Sequence, residues 1–485
     1  MSDSILVWFR NDLRLLDNPA VLDAHRSGQP IHFVYIFDDS GKHARPLGGA
    51  QKWWLHQSLT RLSEDISKRG GRLVLFRGDP EKIVPHLVSE WRPSKVVWNR
   101  RYHAADIACD TAIKAQLEAQ GIAVKTFNGT LIREPWTLVS KSGGAFKVFT
   151  PFWRAARENH DVPSPQAAPD AFASPPNSSS NLSVSLADLA LEPKKPNWAE
   201  SIAEAWVPGE AGALAALETF IDHGFAGYAE NRNRPDMPST SRLSPYLRFG
   251  EISINRVWHT SEMAVQSGRT KASSEDLRVF QSELGWREFS YYLLYHQPDI
   301  SKINVQRRFD EFPWQNDPAM YKAWCRGQTG YPIVDAGMRE LWQTGFMHNR
   351  VRMIVASFLI KHLRIDWRQG ENWFWDTLLD ADPASNPASW QWVAGSGADA
   401  APFFRIFNPM LQGEKFDPKG DYVRHYVPEL ARLSNKYIQA PWTAGPLELT
   451  AAGIKLGTTY PRPIVDHDAA RNSALAAFKA LTVYT

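Results

Sequence analysis

Tryptophan residues are concentrated in one part of this chain, where they alternate with charged side chains. Nine of the twenty tryptophans lie between Trp286 and Trp392, beside repeated Arg and His residues. Indole rings stack on flat π systems and can be oxidised, so this density predicts a flat aromatic ligand or nucleobases as a partner. Packing in a core is the ordinary alternative for any single indole.

Two closely spaced pairs of charged residues in the same half could also do chemistry. Glu283 precedes Arg287 by four residues, the favourable order for a helical salt bridge, and a solvated pair is the simple interpretation. Asp380 and Asp382 flank a single residue, which is typical of a turn or a helix cap. Spacing alone leaves a structural and a functional interpretation open for both pairs.

Hydroxyl side chains gather just before a predicted helix. Thr240, Ser241 and Ser244 offer hydroxyl and backbone N–H groups, and the helix dipole favours an anion at this position. Ordinary helix capping would use the same residues. The sequence therefore predicts either an anion site or a cap here.

The first 130 residues predict an α/β domain, which would lie beside the helical part of the chain that carries these candidate residues. Short apolar runs alternate with helix-like stretches at 51–68 and 104–120, which indicates a doubly wound parallel sheet of five strands. The predicted strands lie at residues 5–9, 31–37, 73–76, 96–98 and 122–127. No Gly-x-Gly-x-x-Gly follows the first run, so the usual pyrophosphate cradle of a dinucleotide domain is missing.

The remaining residues predict a linker and a helical domain. Residues 131–205 are interpreted as an interdomain linker, because 163–197 is rich in Pro, Ser, Ala and Asn and cannot form a core of its own. Apolar residues then recur at helical spacing, so 206–485 is predicted to be a large all-α domain. The clearest helical stretches are 211–222, 276–296, 333–363 and 371–379.

Composition excludes several classes of protein. Lys and Arg exceed Asp and Glu by only three among 485 residues, so a nucleic-acid surface would have to be a local cluster. Cys109 and Cys325 are too far apart in sequence for a metal or redox motif, and no metal is expected. No signal peptide or membrane-spanning run is visible. We expect a cytoplasmic, monomeric protein without membrane contact.

Five ordered motifs in the C-terminal half resemble those of the DNA photolyase and cryptochrome family. They are TSRLSPYLRFG at 240–250, ELGWREF at 283–289, TGYPIVD at 329–335, MHNRVRM at 347–353, and NPASWQW at 386–392 running into RIFNP at 405–409. The opening VWFRNDLR at 7–14 resembles the family's first strand and turn, so the resemblance covers nearly the whole chain. It implies an α/β antenna domain and a helical domain that holds FAD beside a DNA-facing cavity.

The resemblance also implies which residues hold the flavin. The implied FAD contacts are Tyr228, Thr240, Ser241, Leu243, Ser244, Arg352, Asp380, Asp382 and Asn386. Arg352 would pair with Asp380 over the isoalloxazine, a planar arrangement that suits Arg better than Lys. Asn386 would face flavin N5, where an amide can hydrogen-bond without adding a negative charge.

Three further groups of residues follow from the same resemblance. The implied lesion contacts are Glu283, Trp286, Asn349, Met353 and Trp392, with Glu283 on the damaged bases and the two indoles as walls. The implied electron-transfer chain is Trp390, Trp367 and Trp314, which leaves Trp324, Trp342, Trp373 and Trp375 as core. The basic residues expected to bind DNA phosphates are Arg232, Arg234, Arg350, Arg405 and Lys415.

Local residues discriminate between the branches of the family. The two histidines that animal-type (6-4) photolyases use as acid and base are replaced by Asn349 and Met353, and plant-type cryptochromes have Asp in place of Asn386. We therefore expect cyclobutane pyrimidine dimer repair, in which photoexcited reduced FAD lends the flipped-out dimer an electron. A cryptochrome-type photoreceptor, a (6-4) photolyase and a non-catalytic nucleic-acid-binding protein are the alternatives. Pro387-Ala-Ser389 departs from the common bacterial pattern and leaves class I and class III open.

The antenna pigment is less clearly encoded. Folate-binding relatives often have Asn-Glu where this chain has Ala105-Asp106, and deazaflavin-binding relatives have Asp near Arg101. The chain matches neither pattern well, and we expect methenyltetrahydrofolate, with a deazaflavin or an empty site as alternatives. The implied macromolecular partner is UV-damaged DNA that contains pyrimidine dimers.

Overall fold

The N-terminal domain contains one parallel sheet. The computed structural model describes residues 4–140, 143–158, 161–175, 178–399 and 404–481. The strands are β1 (Ile5–Phe9), β2 (Ile31–Phe37), β3 (Leu73–Arg77), β4 (Lys95–Asn99) and β5 (Ala123–Phe127). The helices that alternate with them are α1 (Pro19–Arg26), α2 (Gly49–Lys68), α3 (Pro80–Trp91) and α4 (Ala104–Ala119).

All strand pairs in this sheet are parallel, in the order β3-β2-β1-β4-β5. In the register, Val7 on β1 lies opposite Phe33 on β2 and Val97 on β4. Every residue of β1 and β2 is buried, as expected for a parallel sheet with helices on both faces. The predicted doubly wound sheet of five strands is confirmed.

The C-terminal part is helical, which confirms the second half of the predicted fold class. Its longest helix, α11 (Ser274–His296), begins with a capping box in which Ser273 and Asp276 exchange side-chain and backbone hydrogen bonds. No helix in the described ranges is long and apolar enough to cross a bilayer. The remaining helices are α5 (Phe149–Arg157), α6 (Glu200–Ala205), α7 (Glu210–Thr219), α8 (Tyr228–Asn231), α9 (Ser244–Phe249), α10 (Ile254–Gln266), α11 (Ser274–His296), α12 (Pro318–Cys325), α13 (Pro332–Thr344), α14 (Asn349–Ser357), α15 (Trp367–Thr377), α16 (Ser385–Ala394), α17 (Pro409–Phe416), α18 (Asp421–Tyr426), α19 (Pro446–Ala451) and α20 (His467–Leu481).

The turn after β1 joins the two domains. The buried guanidinium of Arg14 donates to the carbonyl oxygens of Gly250 at 2.9 Å, Gly129 at 2.8 Å and Asp17 at 2.9 Å. A buried cation with all these acceptors satisfied is costly to pull apart. The segment that in a dinucleotide domain would cradle a pyrophosphate therefore holds the helical domain against the sheet.

The Pro-rich and Ser-rich segment has no core of its own, but it is anchored to the N-terminal domain. Phe172, Leu189 and Leu191 are buried in the core below the sheet. The Val184 backbone N–H donates to the Leu75 carbonyl at 2.9 Å, so the segment covers the edge strand β3. An edge strand left open would offer unpaired backbone groups to other chains.

The stretch 333–363, predicted as one helical pattern, is broken in the structure. Helix α13 ends at Thr344, α14 begins at Asn349, and a π-helical turn follows at Phe358–His362. Gly345 ends α13 with φ +65°, and a Cβ at this position would lie 2.7 Å from Leu379 Cγ. The continuous helix was wrong because the apolar spacing continues across a turn that only this glycine permits.

Candidate active site

Three packed helices carry the residues predicted to contact a lesion. Glu283 and Trp286 lie on α11, Asn349 and Met353 lie one turn apart on α14, and Trp392 lies near the end of α16. Helix α16 packs against both α11 and α14. Asn349 is exposed and the other four side chains are half-buried, so the set lies at the protein surface, where the family resemblance implies a DNA-facing cavity, and not in a closed core.

Glu283 pairs with a residue far away in sequence. Its Oε2 lies 2.7 Å from Arg232 Nη2, whereas Arg287 donates to the Thr130 carbonyl at 3.0 Å. The simple i,i+4 interpretation of Glu283 and Arg287 is therefore wrong. Burial raises the pKa of Glu283, and Arg232 opposes that rise. Arg232, predicted to bind phosphate, has its guanidinium on the half-buried carboxylate of Glu283 instead.

Trp286 is held flat by a ring from the interdomain segment. Its ring is stacked on Phe149 with centroids 3.9 Å apart and an angle of 9° between the planes. Phe149 is the first residue of α5, and α5 packs along α11. Stacking on one face fixes the plane of the half-buried indole, as a wall for a flat partner requires.

Asp380 forms a bidentate ion pair at the predicted flavin site. Arg352 donates to both of its oxygens, at 3.0 and 2.8 Å, and Ser244 Oγ donates to Oδ2 at 2.5 Å. The Asp380 side chain is almost fully buried. This planar, bidentate pair brings together three of the predicted flavin contacts, from α9, α14 and the segment before α16.

The other predicted flavin contacts lie nearby in the chain and differ in exposure. Tyr228 and Leu243 are buried, whereas Thr240 and Ser241 are half-buried in the irregular segment before α9. Helix α9 begins at Ser244, so the predicted helix start is in the right place. Asp382 Oδ1 accepts the backbone N–H groups of Ala384 and Ser385, so it closes the turn that leads into α16, as its spacing with Asp380 allowed.

Asn386 is oriented by Glu371. Asn386 Nδ2 donates to Glu371 Oε1 at 2.8 Å and to the Glu371 backbone carbonyl at 3.1 Å. Both amide hydrogens are thereby used, so Oδ1 points to the opposite side as an acceptor. The Glu371 side chain is only 2% exposed.

Arg45 from the N-terminal domain balances the charge of Glu371. Arg45 Nη1 lies 2.7 Å from Glu371 Oε1, and its guanidinium lies 4.2 Å above the ring of Trp375. Burial raises the pKa of Glu371, and Arg45 and Asn386 oppose that rise. Sequence reasoning missed both Arg45 and Glu371. The available signal was an acidic residue at 371 on the helix face that carries Trp367 and Trp375, at i, i+4 and i+8.

The predicted electron-transfer residues run from the interior toward the surface. Trp390 and Trp367 are buried and Trp314 is half-buried. A Cβ on Gly370, one turn along α15 from Trp367, would lie 2.2 Å from Trp390 Cη2, so α15 and α16 pack closely at this point. Trp390 Nε1 is buried without a hydrogen-bond partner among the residues described.

One of the four indoles interpreted as core is not core. Trp324 and Trp375 are buried and Trp373 is half-buried, but Trp342 is 55% exposed. It stacks on Trp373 with ring centroids 6.2 Å apart. Helical spacing placed Trp342 among apolar neighbours, yet its position on α13 faces solvent.

The predicted phosphate contacts differ in how freely they face solvent. Arg405 and Lys415 are exposed, whereas Arg350 is half-buried, lies over the ring of Phe416 and donates to Asn233 at 2.7 Å. Burial lowers the pKa of Arg350, and the nearby charges of Arg232 and Arg405 lower it further, so these cations are neighbours. Arg234 is paired with Asp236 instead.

A cleft between the two domains contains polar atoms without partners. It is lined by Pro80 and Ala44 on one side and by Glu371 and Trp375 on the other. The lining atoms that are buried without a hydrogen bond, among the residues described, are Trp8 Nε1, Arg10 Nε, Asp38 Oδ2, Arg101 Nε and Arg248 Nη1. Buried polar atoms normally have partners, so this lining suits a polar ligand. A more open pocket is lined by Trp53, Arg61 and Trp206.

The chain was compared with known proteins. Residues 280–480 match the FAD binding domain of DNA photolyase, and residues 5–170 match the DNA photolyase family model. A deoxyribodipyrimidine photo-lyase of Agrobacterium fabrum is 54% identical, and the alignment covers 98% of each chain. Cryptochrome-1 of Arabidopsis thaliana is 40% identical over 96% of this chain and 69% of its own.

A solved structure agrees with these matches. The crystal structure of a bacterial class III photolyase from Agrobacterium tumefaciens superimposes with a TM-score of 0.95 at 53% identity, covering 99% of this chain and 98% of that one. The amide oxygen of the buried Asn386, the Arg352–Asp380 pair and the unpartnered Trp390 Nε1 offer acceptors and donors of the kinds that a flavin can bind. This chain belongs to the DNA photolyase and cryptochrome family and carries its FAD-binding domain.

Proposed function

We propose that this protein repairs cyclobutane pyrimidine dimers in DNA with light. The observation that carries the proposal is the half-buried Glu283 carboxylate, held by Arg232 among the packed helices that carry Trp286, Asn349, Met353 and Trp392. We infer that the lesion cavity lies there. A carboxylate there can accept hydrogen bonds from the N–H edges of damaged bases. In a cavity with little water such a contact gains strength.

The aromatic residues would make room for the flipped-out lesion. Trp286, fixed by Phe149, and Trp392 would stack on the dimer from two sides. Stacking contributes roughly 1–3 kcal/mol per base, and unpairing costs only a few kcal/mol, least for a damaged pair. Photolyases are among the enzymes that flip their target base out of the duplex. Arg405 and Lys415 would bind phosphates beside the cavity and fix the position of the DNA without reading its sequence.

The flavin, when bound, would supply the light-excited electron that opens the cyclobutane ring. Arg352 and Asp380 would orient it, Ser244 and the hydroxyls of Thr240 and Ser241 would bind its phosphate-bearing part, and Leu243 and Tyr228 would pack on it. Asn386 would accept a hydrogen bond from its N5 side, because both amide hydrogens are already donated to Glu371. Trp390, Trp367 and Trp314 would pass electrons inward from the surface.

Asn349 and Met353 argue against the (6-4) reaction. Neither side chain titrates near neutral pH, so the acid and base that this reaction needs are missing on α14. The identity with a plant cryptochrome keeps a photoreceptor role as the second candidate. The two functions differ in whether light changes the DNA.

The deciding experiment measures dimer repair directly. Single-stranded DNA with one cyclobutane dimer is mixed with the purified flavoprotein and illuminated with blue light, and intact thymines are counted by chromatography. Glu283→Ala and Trp286→Ala should lose most of the light-dependent repair. Glu275→Ala is the matched control, since Glu275 is an exposed carboxylate on the same helix that pairs with Arg278. Full repair by both cavity variants, or none by the unmodified protein, would overturn the proposal.

For the antenna pigment we propose methenyltetrahydrofolate in the interdomain cleft. Its pterin ring carries hydrogen-bond donors and acceptors that suit the unpartnered atoms of Trp8, Arg10, Asp38, Arg101 and Arg248. Its glutamate tail is anionic, and three of these residues are arginines.

The position of the pigment can be tested with two matched variants. Folate is released by acid from the purified protein and measured by fluorescence. Arg101→Met should lose the pigment, whereas Arg61→Met, in the more open pocket of Trp53 and Trp206, should keep it. The reverse result would move the pigment to the open pocket, and deazaflavin fluorescence instead would refute its identity.

Three further assignments accompany the proposed function. The likeness to a class III photolyase favours class III over class I. The domain bounds 1–130, 131–205 and 206–485 follow from composition, and the described parts of 131–205 pack on both domains. A monomer in the cytoplasm is consistent with two cysteines that form no disulfide.

A further inference from the structure

A mixed cluster of metal-binding side chains lies beside the interdomain cleft. His43 follows β2, Glu81 is in the first turn of α3, and Cys109 is in the second turn of α4. One ligand atom of each lies within 4.8 Å of the other two. His43 and Cys109 are buried, and Glu81 is partly exposed. No part of the proposed repair reaction uses these residues.

A fourth residue fixes the tautomer of His43. Asp79 Oδ1 lies 2.9 Å from His43 Nε2 and also accepts the Glu81 backbone N–H at 3.0 Å. Because Asp79 Oδ2 accepts from Lys42 at 3.1 Å, both carboxylate oxygens are acceptors, and Nε2 must carry the hydrogen. His43 Nδ1 is then the nitrogen with the free lone pair, and it lies 4.0 Å from Glu81 Oε1. A histidine that donates its other N–H to a carboxylate is the usual arrangement of a metal ligand.

The local charge favours a cation. Asp79 and Glu81 carry two negative charges, and Lys42 supplies one positive charge at 2.6 Å from Glu81 Oε2. The Lys42 side chain is 52% exposed, so it can leave for solvent when another cation enters. The nearby arginines, Arg10 and Arg101, are themselves paired with Asp110 and Asp106. One negative charge therefore remains uncompensated around the three ligand atoms.

We propose that His43, Glu81 and Cys109 bind a zinc ion, with Asp79 orienting His43 and water completing four-coordination. Nitrogen, sulfur and oxygen ligands in this combination suit zinc. Zinc bonds of about 2.0–2.3 Å put tetrahedral ligand atoms roughly 3.3–3.7 Å apart, so the present atoms need to close by about 1 Å. The flexible Glu81 side chain permits this. Binding releases the Cys109 thiol proton to solvent and leaves a zinc-bound thiolate.

A metal ion here would fix the loop at residues 43–45, which lines the interdomain cleft and, through Glu371, affects the predicted flavin site. Ala44 and Arg45 directly follow His43, and both line the interdomain cleft. Arg45 also balances Glu371, which orients Asn386. A metal that ties the loop to α3 and α4 would therefore hold Arg45 in place. The sequence offered no sign of this cluster, because its residues are 38 and 28 positions apart and its single cysteine belongs to no motif.

The test uses metal binding to the purified flavoprotein, independently of repair. Zinc is titrated against a chromophoric chelator, and cobalt is titrated while the long-wavelength bands of a tetrahedral thiolate complex are recorded beyond the flavin absorption. We expect one ion per chain, with affinity reduced at least about 100-fold by Cys109→Ser and left unchanged by Cys325→Ser, which alters the other cysteine. Lys42→Met should tighten binding, because it removes the competing cation.

Two results would overturn the zinc site. One is equal zinc affinity in the Cys109→Ser and Cys325→Ser proteins, which would indicate adventitious binding elsewhere. The other is a stoichiometry well below one in the unmodified protein. Because Cys109 is buried, thermal unfolding is followed in parallel. If Cys109→Ser does not fold, His43→Gln serves as the second ligand variant and must lose the cobalt bands.

Discussion

Replacing Arg45 with Met should make the bound flavin harder to reduce. Arg45 is the cation paired with the buried Glu371 carboxylate, at 2.7 Å, and Glu371 in turn accepts from Asn386 at 2.8 Å. Without Arg45, burial raises the pKa of Glu371 further and favours its protonated form. A protonated Glu371 can donate to the amide oxygen of Asn386, which favours a turned amide whose NH2 group faces the flavin.

The size of the effect follows from one hydrogen bond. Reduced flavin carries hydrogen on N5, which the amide oxygen accepts and a turned amide repels. Such a hydrogen bond contributes a net free energy of about 1 kcal/mol, which corresponds to about 40 mV for a one-electron couple. The second anchor of Asn386, the Glu371 backbone carbonyl at 3.1 Å, remains and limits the turn. We therefore expect a lowering of roughly 20–40 mV.

Anaerobic potentiometric titration with redox dyes measures this shift. Arg45→Lys should restore most of the potential, and Glu371→Met should lower it, since the carboxylate is lost. The double variant should be no lower than Glu371→Met alone, because both changes act through one carboxylate. Arg278→Met is the matched control, as Arg278 is an exposed arginine that pairs with Glu275.

The shift should also depend on pH. In the Arg45→Met protein it should be larger at the acidic end than at the alkaline end of the range in which the protein stays folded, because Glu371 ionises again as the pH rises through its raised pKa. Equal flavin reduction potentials in the Arg45→Met and unmodified proteins at both ends of this range would refute the coupling of Arg45 to Asn386. Additive shifts in the double variant would refute their common route through Glu371.

Three further results are expected. Gly370→Ala should destabilise the protein by about 1–3 kcal/mol in urea unfolding, because the added Cβ would lie 2.2 Å from Trp390 Cη2. The displaced Trp390 should also slow flavin photoreduction. Gly144→Ala, where a Cβ has free space, should have neither effect. Burial raises the pKa of Glu251 from 4.5 to about 8. Between these pH values the folded state binds one more proton than the unfolded state, so the free energy of unfolding should fall as the pH rises. Glu251→Gln should reduce this pH dependence of stability in thermal unfolding. Lys415→Ala should weaken DNA binding and lower the slope of log affinity against log salt by about 1, and an unchanged slope would argue against a phosphate contact.

The site could be predicted from sequence where its residues follow one another in motifs. Asn349 and Met353 are four residues apart, so a helix alone places them on one face. The strand-helix alternation likewise fixes the parallel sheet, because parallel strands need crossover connections. The pairing of Arg352 with Asp380 came from the family resemblance, and the distances agree with it.

The partners of buried charges could not be predicted in this way. Glu283 has Arg287 one helical turn away, yet it pairs with Arg232, because α11 turns that face toward α8 and directs Arg287 to the Thr130 carbonyl. Trp342 shows the same limit, since its spacing is that of a core residue but α13 presents it to solvent. Spacing gives the face of a helix but not what lies opposite that face.

The amino-acid sequence by itself determined the two-domain architecture, the family and most of the residues proposed to contact flavin and lesion. Only the tertiary structure decided that Arg45 reaches Glu371 across the domain boundary and that His43, Glu81 and Cys109 converge. The physical reason is that hydrophobic periodicity is a local property, read along the chain. An ion pair or metal cluster depends on how helices from distant segments pack, and burial then decides which polar atoms must find a partner.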